Sequence, residues 1–241
     1  MTTKSIKRNV ILGILFFLPV IFLLMLYPST HNYNPLDIIN KNVQDLDGFS
    51  SDSGDAVLLK DHITVLCFMG DSPMDNVIAA SNLKELVYDK FKGFKTFQIV
   101  LVSPFGAEDQ AKALEKEISM GEYLKYLHFV FNDHLAIKHV FNSLKSASTL
   151  NQALATDAIF IIDKDLNQRG RIDDRTDSEL ASNKPIVGLN SYHPLEVAEI
   201  KNKMSEDVRI LFTEYRQKRK GKFDSSTRRA DELNQNHEQK N

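Results

Sequence analysis

One cysteine, Cys67, occurs among the 241 residues of this chain. That scarcity excludes an intrachain disulfide, a CxxC redox pair and a cysteine-rich zinc or iron–sulfur site. The chain also lacks a P-loop, a GxSxG elbow, an HExxH motif and a dinucleotide-binding fingerprint. No acid and base stand at a spacing that marks an active site, so an enzyme with non-thiol chemistry is the least favoured function. An excess of positive charge is missing too. The net charge is -2, whereas nucleic-acid-binding domains are usually strongly basic, so no nucleic acid is expected as a partner.

The charge that is present is unevenly placed. The first eight residues carry a net +3, the segment from Arg216 onward a net +4, and residues 9–215 a net -9. Between the basic start and the acidic body, residues 10–27 (VILGILFFLPVIFLLMLY) form a run without charge. As a helix this run reaches about 27 Å, close to the roughly 30 Å hydrocarbon core of a bilayer. It is therefore expected to be one transmembrane helix. Lys4, Lys7 and Arg8 would lie on the cytoplasmic side and Tyr27 at the outer interface. A cleaved signal peptide is the rival, but its apolar centre is usually shorter and no A-x-A site follows. These features predict a single-pass signal anchor in the cytoplasmic (inner) membrane, with the lipid bilayer as a partner. The body would face the periplasm or the cell exterior. Residues 28–61, rich in Asn, Asp, Ser and Gly, read as a tether and lead-in with room for a small hairpin. Residues 216–241 read as a disordered polar tail, whose RQKRKGK cluster suits protein contact or solubility better than lipid.

The body, residues 62–215, alternates strand and helix signals. HITVLCFM at 62–69 is apolar on both faces, as a central strand covered by helices must be. Val77, Ala80, Leu83, Val87 and Phe91 then recur at helical spacing. Strands follow at 96–103, 127–131 and 158–162, with helices over 107–120 and around 135–141. A return strand lies near 169–172. A last helix begins near Pro194, with Val197, Ile200, Met204, Val208, Leu211 and Tyr215 as its buried stripe. This order predicts an α/β domain, thioredoxin-like, of three layers with a mixed sheet. The stretch 173–193 reads as a long loop, a surface decoration ahead of a lid or binding surface.

A thioredoxin-like enzyme places its reactive thiol at the helix start after the first core strand, where the helix dipole lowers its pKa. Here that segment is Phe68-Met69-Gly70-Asp71-Ser72-Pro73-Met74-Asp75-Asn76, without cysteine. Together with the strand pattern and LATDAIFIIDKD, it resembles the Sco/SenC family of membrane-anchored thioredoxin-like proteins over roughly residues 45–215. That resemblance implies a CxxxC pair and a distal histidine that bind copper. It also implies a role in assembling the copper centre of cytochrome oxidase, or in thiol redox work. Carried over, the cysteines fall on Ser72 and Asn76 and the histidine near Ala155, so all three positions lack the family's ligands. Serine cannot perform thiol–disulfide exchange, and soft copper would lose both thiolates.

The same residues have a plain structural reading. Ser72 suits an N-cap, Pro73 the first helical position and Asp75 the third, approximating a capping box. The functional alternative is a modified loop in which Asp71, Ser72, Asp75 and Asn76 contact a partner or a hard ion. Cys67, inside a central strand, reads as an inert core thiol. His134 and His139 are five apart and do not form a metal pair. Asp163, Asp165 and Asn167 fit a hairpin turn better than a calcium loop, and Asp173, Asp174 and Asp177 form a solvated acidic loop. No catalytic residue, metal ligand or cofactor is assigned. The leading functional expectation is a membrane-anchored, non-redox thioredoxin-like protein for protein interaction or assembly, in the manner of respiratory-complex biogenesis. Its partner is unknown. The alternative is a metal-handling protein with a relocated, non-thiolate site.

Overall fold

A computed structural model describes residues 3–26, 35–51 and 54–219; within the first of these, side chains are described only for 11–22. The chain divides into two units, residues 1–34 and 35–241. The first unit holds one helix, α1 (Thr3–Leu26), with Pro19 inside it. No helix among the described residues is long and apolar enough to cross a membrane. The transmembrane anchor is thereby corrected. The bilayer contact over 10–27, the single-pass inner-membrane topology and the periplasmic or exterior placement fall with it. The tether's residues 28–34 and the tail from 220 lie outside the described residues.

In the second unit the strands are β1 (Asp37–Asn40), β2 (Ser50–Ser51), β3 (Ile63–Met69), β4 (Phe97–Pro104), β5 (Leu127–Asn132), β6 (Ala155–Ile162) and β7 (Gln168–Gly170). They form one sheet in the order β1-β7-β6-β3-β4-β5-β2. β3, β4 and β5 run parallel. β6 lies antiparallel to β3, and β7 and β1 follow antiparallel beyond it. Ser50 and Ser51 pair with β5 at the other edge, so the two strands of the lead-in sit on opposite edges and not against each other.

The run 62–69 forms a central strand because neither face is polar enough to meet water, and all seven residues of β3 are buried. Its side chains alternate between two cores. Ile63, Val65, Cys67 and Met69 join Ile99, Leu101, Phe129 and Ile161 on one face. Leu66 and Phe68 join Val100, Val130, Phe160 and Ile162 on the other. The first face is covered by α2 (Val77–Leu83), α3 (Asp89–Phe91), α4 (Glu108–Ser119) and α7 (Ser205–Arg219). The second is covered by α5 (His134–Asn142) and by Val43, Leu46, Phe49, Val57 and Leu59. Helices on both faces of a mixed sheet, with an antiparallel β6–β7 hairpin and a terminal helix, make this a thioredoxin-like α/β domain, as the strand order predicts.

Helix boundaries differ in detail from the periodicity. The last helix opens with a π-helical turn, Glu199–Met204, in front of α7. Ile200, Met204, Val208 and Leu211 are fully buried, but Val197 is half exposed. The stretch 173–193 holds a short helix, α6 (Asp177–Ala181), closed by a capping box of Thr176 and Glu179. It is fastened to the domain by backbone bonds between Arg171 and Leu189 and between Ile159 and Tyr192.

A buried ionic cluster locks the hairpin against α7. The Arg169 guanidinium donates to Asp163 Oδ2 at 2.8 Å, Glu214 Oε2 at 2.6 Å and the carbonyl of Leu36 at 2.7 Å. Burial opposes its charge, but Glu214 and Asp163 outweigh that and raise its pKa. Lys218 pairs with Glu214 at 3.1 Å, so the cluster's charges balance. Beside it, Arg171 grips Asp207, and the Tyr192 hydroxyl donates to Asp207 Oδ2 at 2.5 Å. Burial, and next the Asp207 charge, push the Tyr192 phenol well above its ordinary value of 10.0.

Two predictions follow from these clusters. Removing one member of a buried ion set strands the others without a counter-charge. Arg169→Ala should therefore lower the unfolding free energy by about 3–5 kcal/mol, read from the urea midpoint; a loss below about 1 kcal/mol would contradict the clamp. For Tyr192, the unfolded phenol ionises near pH 10 while the folded one keeps its proton. Stability must then fall as pH rises above about 10, by up to roughly 1.4 kcal/mol per pH unit from this group. Urea midpoints between pH 8 and 11.5 should show that slope, and Tyr192→Phe should reduce it, leaving the share of Tyr215 and Tyr88, whose phenols are also raised by burial.

Candidate functional site

The segment after β3 turns sharply because Gly70 adopts φ +75 and leaves no room for a side chain. A Cβ there would lie 2.7 Å from the Ala153 carbonyl and 2.9 Å from the Ala155 Cβ. This close approach brings the Asp71 N–H to the Ala153 carbonyl at 3.0 Å. It also places the start of the next helical turn beside the start of β6, where Met69 pairs with Ala155. The result is a cleft of about 300 Å³ beyond the end of β3.

One wall is Met69, Asp71, Ser72, Asp75 and Asn76; the other is Ser148, Thr149, Asn151, Ala153, Ala155, Thr156 and Asp157. All four residues of the sequence-derived loop thus line one cleft, and Ala155 lies across from them. Pro73 opens a 3-10 turn, Pro73–Asn76, ahead of α2. Ser72 does not act as the side-chain cap its position predicts, since the turn is closed by the backbone bond from Asp75 N–H to the Ser72 carbonyl at 3.0 Å. Asn76 donates its amide to the Met69 carbonyl at 3.0 Å, holding the turn against the strand. Asp71 and Asp75 are exposed, and Ser72 and Asn76 are half-buried. The Thr156 Oγ1 is buried without a hydrogen-bond partner.

The lining contains three carboxylates, those of Asp71, Asp75 and Asp157, and no lysine, arginine, histidine or cysteine. Copper(I) calls for thiolate, thioether or imidazole donors, and the Met69 thioether is the one such group here. These residues do not fit copper. Among the described residues no group of three or more His, Cys, Asp or Glu side chains is placed to hold a metal ion. A relocated metal site therefore finds no ligand set among them. Asp173 is spent on Arg175, and Asp174 on Arg171 and Lys203. Asp163, read from the sequence as a turn residue, accepts from Asp165 N–H, Asn167 N–H and Arg169 inside the hairpin turn. His134 and His139 are exposed on α5, whose N-terminus is capped by Asp133.

Cys67 lies one alternation below the cleft, with its thiol 3.6 Å from the Met69 sulfur. It is buried. Burial, and next the Asp157 charge, push its pKa up to about 12. With a single inert thiol, the chain has no disulfide cycle of its own, and the residues at the sulfur positions of the resembling family are Ser72 and Asn76.

The wall from Ser148 to Asn151 escaped sequence reasoning because it carries no periodicity. The one available signal was its run of small polar residues just ahead of the AIFII strand.

No family model and no curated protein matches the chain. Solved structures do. A Bacteroides thetaiotaomicron structure described as a disulfide isomerase is 11% identical, covering 78% of this chain and 99% of its own, with a TM-score of 0.47. Copper-bound ScoI from Bradyrhizobium japonicum is 16% identical, with 71% and 99% covered and a TM-score of 0.36. The soluble domain of Sco1 from Bacillus subtilis is 14% identical, with 76% and 95% covered and a TM-score of 0.40. The likeness is one of fold alone.

A thiol held at a pKa of about 12 is almost wholly protonated at neutral pH. Ellman's reagent at pH 8 should therefore react with the native full chain at least about 1000-fold more slowly than with the urea-unfolded chain. Prompt native labelling would place Cys67 at the surface and reopen thiol chemistry.

Proposed function

We propose that this domain is a non-redox, thioredoxin-like binding module, and that its cleft at the end of β3 takes a cationic, hydrogen-bond-donating group such as a guanidinium or a protonated amine. The observation that carries this reading is the lining itself. Asp71, Asp75 and Asp157 surround the cleft with no basic side chain among the lining residues. A ligand that brings positive charge and N–H donors complements such a surface, whereas an anion would meet repulsion. Ser72 and the unpartnered Thr156 Oγ1 add acceptors for further N–H groups. Asn76 supports the site by fixing the turn, because its amide is already engaged with Met69.

Thiol exchange is absent from this reading because the chain holds one cysteine and that one is buried. The work left to the cleft is recognition, through a rigid turn set by Gly70 and a strand start that cannot shift without breaking the Met69–Ala155 pairing.

The test uses the full chain titrated with acetyl-argininamide and, as the uncharged control, acetyl-citrullinamide. The cationic probe should bind measurably more tightly than the control. Asp71→Asn and Asp157→Asn should each weaken it by up to about five-fold, the range of a partly exposed ion pair. Equal binding of the two probes, or full binding by both variants, would defeat the proposal.

A further inference from the structure

The opposite end of the sheet carries a second site of the reverse character. Ile63 pairs with Phe97 and Thr64 with Ile162, so Thr96 and Lys164 sit at the start of β3, away from the cleft beyond its end. Together with the last turns of α7 they enclose a cavity of about 520 Å³.

Its apolar part is aromatic. Phe94 and Phe212 stack with ring centroids 4.3 Å apart, and Phe212 rests in turn on the buried Phe91. Phe94 is 41% exposed, so the aromatic cluster reaches from the core to the surface. Tyr215 completes the wall, its hydroxyl held by Asp165 at 2.9 Å.

Its polar part is mainly cationic, with Asp165 the one carboxylate of the lining. Lys164 stands over the Tyr215 ring at 5.4 Å, and Arg216 and Arg219 line the rim. None of these three has a carboxylate partner among the described residues, whereas Lys218 is committed to Glu214. Lys164 belongs to the acidic body of net -9, whereas Arg216 and Arg219 open the basic segment of net +4 that follows it.

We infer that this cavity binds a small planar aromatic carboxylate. The aromatic rings supply a stacking surface for a flat apolar ring. An arginine fork matches a carboxylate with two parallel hydrogen bonds. The acidic body argues against a long polyanion, which would extend beyond the cations onto a surface of its own sign. The cavity volume lies within the range of small-molecule sites. This inference is independent of the cleft described above.

The full chain contains no tryptophan, so the indole fluorescence of added indole-3-acetate reports its binding without protein background. Its anisotropy should rise saturably, with a Kd of about 1 mM or tighter. Indole-3-acetamide, of the same shape without the charge, should bind about ten-fold more weakly. The double variant Arg216→Gln, Arg219→Gln and, separately, Phe94→Ala should each weaken the acid by about ten-fold with the far-ultraviolet circular dichroism unchanged. Three results would overturn the inference. These are no saturable binding, equal binding of acid and amide, or full binding by both folded variants. Displacement of the probe by a nucleoside monophosphate at concentrations ten-fold lower than by unlabelled aromatic acid would overturn the carboxylate class.

Discussion

The buried guanidinium of Arg169 is the constraint around which the edge of this domain is organised. It reaches the hairpin turn through Asp163, the terminal helix through Glu214 and the chain ahead of β1 through the Leu36 carbonyl. A slip of one residue in the β6–β7 register would send this side chain to the other face, the apolar one that holds Phe160 and Ile162, and away from Asp163 and Glu214. The register is therefore fixed by charge as well as by apolar packing. Apolar residues replacing the whole ion set together could fill the same volume with little loss of stability; what the ions add is a single allowed alignment of three separate segments.

Much of the scaffold is legible in the sequence because burial on both faces leaves a blunt signature. The runs 62–69 and 96–103 could only be central strands, and the helical stripe through Ile200, Met204, Val208 and Leu211 could only face the sheet. The meeting of Ser72, Asn76 and Ala155 at one cleft follows from the same order of strands. Three features were hidden. The wall from Ser148 to Asn151 has no repeat to reveal it. Ser72 has the right residue type for a cap but a backbone conformation that leaves its hydroxyl unused. The ionic clusters were concealed because Asp207 and Glu214 look like ordinary surface acids. Their signal was faint but present: each stands one residue from the buried stripe, on the side facing Arg171 and Arg169. The uncharged run at 10–27 suggested a membrane span, but no helix among the described residues is long and apolar enough to cross a membrane.

The two ends of the sheet are chemically opposed. Three carboxylates gather past the carboxyl end of β3, and the cations Lys164, Arg216 and Arg219 gather at its start, separated by a strand of seven buried residues. A rigid, dry core between two solvent-facing sites keeps their charges from neutralising one another and lets each retain its own preference.

The outermost strands have a consequence for how the molecule behaves in a crowd. β1 has four residues, so the flank of the sheet that it closes ends in a strand too brief to template a neighbour's backbone. The long, apolar strands β3, β4 and β6 are interior. At that flank the folded domain should consequently resist edge-to-edge accretion, and its hazard lies in the interval before β1 has docked.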